Sequence, residues 1–230
     1  MNINRNTVSQ VIAENINSLY KRIEVAANRS GRNKQDIKII AVSKNFSADY
    51  IRAAYKCGLR DFGENRLQEA INKFPEIMDI RNVLTMHFIG HLQTNKVKTV
   101  IELFDIIHSI DSVHLADKVS QRSFKKTPVF LEVNVSGEHT KYGFLPEQLE
   151  YAVSKISTMP NLVIMGFMTV APIANNPEDV RPIFKKLKQL NDLYKFKELS
   201  MGMSDDFEVA IEEGATMIRI GRAIFGERSK

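Results

Sequence analysis

IKIIAVSKNFSADYIRAAYKCGLRDFGENRLQEAINK, residues 37–73, contains the pattern that decides the fold. Its opening, IKIIAV (37–42), is short, apolar and β-branched, as a strand buried on both faces must be. Ser47 then predicts the cap of a helix running to about Cys57, and Gly58 supplies its stop. A second short strand, RDF (60–62), passes through Gly63-Glu64-Asn65 into another helix ending near Lys73. Strand, helix, strand, helix in direct succession is the signature of parallel strands joined by helical crossovers.

Working outward, the same unit recurs to the end of the chain. TMHFIG (85–90) precedes a helix from about Gln93, and DIIHSI (105–110) precedes one from about Ser112 to Gln121. PVFLEVNV (128–135) leads to a helix from about Pro146, and LVIMGFM (162–168) to one starting near Pro177. ELSM (198–201) leads to a helix from about Asp205 to Glu213, and TMIRIG (216–221) to a short last one. Upstream, Val8, Val11, Ile12, Ile16, Leu19 and Ile23 recur at helical spacing, with Gly31 as the stop. The expectation is an α/β fold, a single (β/α)8 TIM-type barrel with an extra N-terminal helix, in which residues 1–230 form one domain. An open doubly wound sheet is the alternative, but the chain has no early G-x-G-x-x-G turn.

Composition narrows the partners. A 230-residue chain with 43% hydrophobic and 26% charged residues is an ordinary globular sequence with material for one substantial core. It contains no apolar run of about 18 residues and its N-terminus has no signal-peptide block, so a cytoplasmic location away from membranes is expected. Cys57 stands alone, which leaves no disulfide framework and no cysteine-based metal site. The net charge of +5 is spread along helices, Trp is absent, and no nucleic-acid-binding motif is present. That charge suits a phosphorylated small molecule better than a nucleic acid. His87 and His91 have H-x-x-x-H spacing but straddle a strand end and a loop, so no metal site is expected there.

In such barrels the chemistry sits just past the C-terminal ends of the strands, and phosphate is commonly held after strands seven and eight. Lys44 stands at the exit of the first strand. There it is either an exposed strand-end lysine or an amine able to attack a carbonyl. Ser204 is read as beginning a helix, either as an ordinary cap or as a phosphate ligand, provided Asp205 and Asp206 turn outward. Gly221 lets a phosphate approach the backbone, and Arg222 is either its counter-charge or a rim arginine. Arg219, inside the apolar strand MIRIG, needs an acceptor, either a neighbouring acid or a ligand atom. Lys141-Tyr142-Gly143 reads as a loop turn with Lys141 at the rim.

Taken together, AVSK (41–44), FGENRLQE (62–69), HFIGHLQTNK (87–96), HSID (108–111), EVNVSGE (132–138), KYG (141–143), GFMTVAP (166–172) and LSMGMSDDFEVAIEEGATMIRIGRAIFG (199–226) closely resemble the pyridoxal phosphate homeostasis protein family. That family is a barrel related to the alanine racemase N-terminal domain. The resemblance implies pyridoxal 5'-phosphate (PLP) as cofactor, with Lys44 as its Schiff-base lysine. It implies Ser204, Gly221 and Arg222 as phosphate ligands with Ser200 assisting, Arg219 facing the pyridine nitrogen, and Asn65 near the ring. At position 222 the backbone N–H is the ligand group expected. The second, β-rich domain that closes the site in alanine racemases is not expected here, and no catalytic residue is assigned. The implied role is a non-catalytic PLP carrier or buffer in vitamin B6 homeostasis and amino-acid balance, a monomer that hands PLP to apo PLP-dependent enzymes. Two alternatives stay open: a weak racemase-like PLP enzyme, and a barrel enzyme in which Ser204 and Gly221 hold a sugar phosphate.

Overall fold

In the computed structural model, which describes residues 5–227, every crossover predicted from the sequence closes a parallel strand pair. The strands are β1 (Lys38–Val42), β2 (Asp61–Glu64), β3 (Thr85–Phe88), β4 (Ile106–Ile110), β5 (Thr127–Glu132), β6 (Leu162–Met168), β7 (Glu198–Ser200) and β8 (Met217–Ile220). They pair in chain order, and β8 returns to β1 to complete a closed barrel, with Ile40 opposite Arg219. The helices are α1 (Arg5–Arg29), α2 (Ala48–Lys56), α3 (Leu67–Lys73), α4 (Val97–Leu103), α5 (Val113–Arg122), α6 (Leu149–Ile156), α7 (Arg181–Leu193), α8 (Phe207–Glu212) and α9 (Arg222–Phe225).

Boundaries differ from the sequence reading at particular places. Helices α4, α6 and α7 begin later than predicted because a 3-10 turn precedes each, at 94–96, 146–148 and 177–180. Two of these turns begin at Pro146 and Pro177, whose fixed φ suits a first turn and whose missing N–H costs nothing there. Strand β5 stops at Glu132, short of the predicted Val135, because the chain folds back on itself. The Phe144 amide donates to the Glu132 carbonyl (2.8 Å) and the Asn134 amide to the Phe144 carbonyl (2.9 Å), which takes Asn134 out of the ladder.

Side-chain alternation along the strands divides the core in two. Outward-facing strand residues and the inner faces of the helices form the larger part, including Ile39, Ala41, Phe62, Leu131, Phe167 and Ile218. Burying side chains of this size contributes roughly 1.5–3 kcal/mol each. Ile40, Ile106, Phe130, Met168 and Met217 form a separate cluster inside the barrel. The barrel interior is not uniformly apolar, however: His87, His108, Ser200 and Arg219 are buried as well.

Candidate functional site

Lys44 lies half-buried in the turn that follows β1, and its neighbours hold that turn from both sides. The Ser43 hydroxyl donates to Glu64 Oε1 (2.6 Å), and the Ser43 carbonyl accepts from Lys73 Nζ (2.8 Å). Lys73 Nζ also lies 2.6 Å from Glu64 and 3.0 Å from Glu69, whose carboxylate accepts the Asn45 amide on the other side of Lys44. Asn45 itself sits at a φ of 66°, a left-handed conformation that asparagine tolerates. Lys73 and Glu64 are sealed from solvent, and burial pushes the Glu64 carboxyl up against the opposing pull of Lys73 and Ser43. Sequence reasoning missed this clamp. Its signal was present as Glu69 and Lys73 at i,i+4, but that pattern ordinarily marks a solvated helix face.

The turns after β7 and β8 meet at Ser204, whose Oγ accepts a hydrogen bond from the Ala223 amide of α9 (3.3 Å). Ser204 does not begin α8, as the sequence suggested; Asp206 takes that position and uses Oδ1 to accept the Met203 amide (2.6 Å). The expected outward turn of the two acids holds for Asp205 only, which is exposed and pairs with Arg222. Asp206 is buried, and burial raises its carboxyl pKa despite that backbone N–H and the nearby Arg219. Arg222 also reaches Glu227 (3.4 Å), so its side chain is engaged by surface acids. At Gly221, an added Cβ would meet only the Val42 carbonyl at 3.5 Å and the Val42 side chain at 3.8 Å. The space it would fill therefore lies between the exits of β8 and β1.

Arg219 is buried inside the barrel. Within the protein its hydrogen bonds go to carbonyls and a hydroxyl and not to a neighbouring acid, one of the two acceptors expected. Nη1 donates to the Ser200 carbonyl (2.9 Å) and Oγ (2.7 Å), and Nη2 to the Thr169 carbonyl (2.7 Å). Burial lowers its pKa to about 10, opposed by the charges of Asp206 and Glu132, so it stays cationic at neutral pH. The Ser200 hydroxyl, expected to assist at a phosphate, is instead occupied beneath Arg219 and lies 3.0 Å from His108 Nδ1. Burial holds His108 well below the usual histidine range, and His87, Arg219 and Lys38 add to this. At the end of β5, burial and Asp111 push the Glu132 carboxyl up to about 7 against the attraction of Arg219.

Asn65 follows β2 with its Oδ1 buried and unpartnered. Its backbone is pressed against Gly90, where a Cβ would sit 2.1 Å from the Asn65 carbonyl oxygen. Position 90 therefore requires glycine. His91 lies at the rim, 3.2 Å from Asp111 and stacked on Tyr142 at 3.7 Å, while His87 points into the barrel. Lys141 pairs with Glu138 (2.8 Å) and donates to the Val170 carbonyl (3.3 Å). Tyr142, Lys141, Asn134, Thr140, Val170 and Glu132 line a cavity of about 210 Å³. Among the described residues, no cluster of three or more His, Cys, Asp or Glu is placed to hold a metal.

The mouth thus gathers the Lys44 amine, the buried Arg219 cation and the glycine turn at Gly221 on neighbouring strands. Residues 15–229 match the alanine racemase N-terminal domain family. A pyridoxal phosphate homeostasis protein of Aquifex aeolicus is 45% identical over 224 residues, covering 94% of this chain and 97% of its own length. One from Pseudomonas aeruginosa is 42% identical over 222 residues, covering 94% and 96%. Among solved structures, PipY of Synechococcus elongatus with PLP bound superposes with a TM-score of 0.81 at 35% identity, covering 94% of this chain and 100% of that one. An alanine racemase of Corynebacterium glutamicum shares the fold at a TM-score of 0.71 and 18% identity, and this chain spans 62% of it.

Proposed function

This chain belongs to the pyridoxal phosphate homeostasis protein family, and from that premise we propose that its barrel mouth binds PLP covalently through Lys44 and holds it for release. The observation that carries the reading is the β1–β8 seam. Ile40 lies opposite Arg219, so Lys44 and Gly221 leave adjacent strand ends a few residues later. In this reading the covalent anchor, the ring cation and the Gly221 part of the phosphate turn come from two hydrogen-bonded strands. The residues fit the group: Asn65 Oδ1 is a buried oxygen without a partner, and Gly221 opens a space that a side chain would fill.

When bound, PLP supplies an aldehyde that an amine captures and a ring that withdraws electrons from whatever is attached. In this reading, Ser204 and the backbone N–H groups at Gly221 and Arg222 receive the phosphate, with Asn65 near the ring. Arg219 donates a hydrogen bond to the ring nitrogen without giving up its proton, which leaves the ring a weak electron sink. Ser200 acts beneath Arg219. Such a site binds and releases better than it catalyses, and the proposed role is non-catalytic PLP carriage in B6 homeostasis. We take residues 1–230 to act as one domain, a cytoplasmic monomer that loads apo PLP-dependent enzymes. No helix among the described residues is long and apolar enough to cross a membrane.

Purified protein carrying PLP should show a visible absorption band that Lys44→Ala abolishes; a colourless wild type that PLP cannot reconstitute sinks the reading. Delivery is checked by mixing loaded protein with an apo-enzyme, where activation no greater than that from equimolar free PLP leaves storage alone. One observation favours a second reading, a weak racemase-like enzyme: Glu132 titrates at about 7 beside Arg219, as an acid/base group would. Exchange of amino-acid α-protons in deuterated water, above the rate with free PLP and lost in Glu132→Gln, would establish it.

A further inference from the structure

Beneath Arg219, side chains from four other strands form a continuous line of hydrogen bonds down the barrel. His108 Nδ1 lies 3.0 Å from Ser200 Oγ, His108 Nε2 lies 2.8 Å from His87 Nδ1, and His87 Nε2 lies 3.0 Å from Asp61 Oδ1. At the foot, Lys38 Nζ stands 3.3 Å from Asp61. Burial works to raise the Asp61 carboxyl, but the His87 contact and Lys38 overcome it and hold the group below its ordinary value. His87, His108 and Ser200 have no solvent exposure, and the His108 ring lies stacked 4.4 Å from Phe130. Branched apolar residues normally fill this space. A polar chain is stable there only if each member is satisfied.

Two fixed ends constrain the directions, because a carboxylate only accepts and an arginine only donates. The Asp61 carboxylate takes a hydrogen from His87 Nε2. With one hydrogen on each ring, His87 Nδ1 then accepts from His108 Nε2, and His108 Nδ1 accepts the Ser200 hydroxyl hydrogen, while Ser200 Oγ accepts from Arg219 Nη1. In that arrangement both rings share one tautomer and all the hydrogens point away from Arg219. Shifting the His87 tautomer would leave two hydrogens facing each other at His108 and two lone pairs at Asp61.

We propose that Asp61, His87, His108 and Ser200 are positioning residues for Arg219, a polar strut that fixes the guanidinium plane and directs its remaining donors to a heteroaromatic nitrogen above. Both Nη1 hydrogens are committed to Ser200 and one Nη2 hydrogen to Thr169. That leaves Nε–H and the other Nη2–H to meet an acceptor. None of the four residues touches the cofactor; the inference rests on the reading of Arg219 as the partner of the ring nitrogen.

Two measurements test it, and the first needs no variant. Long-range 1H–15N spectra of the histidine-labelled full chain should show His108 as the Nε2–H tautomer, with the His87 hydrogen on Nε2. A Nδ1–H or doubly protonated ring at His108 overturns the strut. The second compares loaded variants by PLP retention and by the position of the bound-cofactor band. His108→Phe keeps the stacking but removes the Ser200 acceptor, so retention should fall about tenfold with a shifted band. His108→Asn places an amide oxygen near Nδ1 and should restore both to within about threefold of wild type. Wild-type retention and band in His108→Phe overturn the proposal, as does failure of His108→Asn to recover what His108→Phe loses. Arg219→Leu separates the two ideas. If it leaves the band unmoved, the ring-nitrogen reading falls; if it moves the band while His108→Phe does not, only the strut falls.

Discussion

Glu132 shows how one half-buried carboxyl makes the barrel pH-sensitive. Its pKa is raised in the folded protein to about 7, so the stability it contributes is complete below pH ~4.5 and is lost as pH rises through about 7. Glutamine at this position carries no charge at any pH. Glu132→Gln should therefore match wild type near pH 4.5 and exceed it by roughly 3 kcal/mol at pH 8. Urea unfolding of both proteins across that range checks this, and a difference independent of pH would refute it. Residues at this scale were unequally legible. The positions of Lys44 and Gly221 at strand exits, and of Arg219 inside β8, could be read because the strand–helix repeat sets where each strand ends. Glu132 could not, because its shift comes first from burial and then from Asp111, against the pull of Arg219, and these meet only in the folded barrel. Ser204 was misread as a helix start because serine before two acids is the ordinary cap pattern, whereas the fold gives that position to Asp206.

At the scale of elements, α3 carries a residue whose function belongs to the preceding strand. Lys73, in the last turn of α3, reaches back to Glu64 on β2 and to the Ser43 carbonyl beside Lys44. A sealed ion pair broken on one side leaves an uncompensated charge, which typically costs about 3–5 kcal/mol. Lys73→Met should destabilise the protein by that amount, and the double variant Glu64→Gln/Lys73→Met should recover most of it. A double-mutant cycle in urea gives the coupling directly; additive losses would mean that the pair is not the clamp described here. Because Ser43 and Asn45 are both tied to this network, Lys73→Met should also weaken PLP retention while leaving Lys44 in place. Helix α3 was predicted from its position between two strands, but its inward lysine was not. A lysine in a last helical turn is normally a favourable charge at the dipole's negative end, and nothing in the sequence distinguishes the two uses.

For the whole molecule, closure depends on joining the first strand to the last, and α1 is the element that covers that junction. It packs on α2, α8 and α9, with Asn15 donating to the Ile224 carbonyl (3.0 Å) and Arg22 pairing with Glu208 (3.0 Å). Periodicity made α1 visible in the sequence, but its role was not, since helical spacing reveals that a face is buried and never against what. The seam beneath it also carries both halves of the proposed PLP site. Leu19→Ala and Leu149→Ala remove equally buried leucines, one from α1 at the seam and one from α6 elsewhere on the barrel. Each should cost about 2–5 kcal/mol. The physical difference lies in what loosens: a cavity under α1 lets β8 and β1 shift relative to one another, and with them the Gly221 turn and Lys44. Dialysis of loaded protein at 25 °C, well below both unfolding midpoints, should therefore strip PLP faster from Leu19→Ala than from Leu149→Ala at matched stability. Equal loss from the two would show that α1 stabilises the barrel without any special bearing on the site.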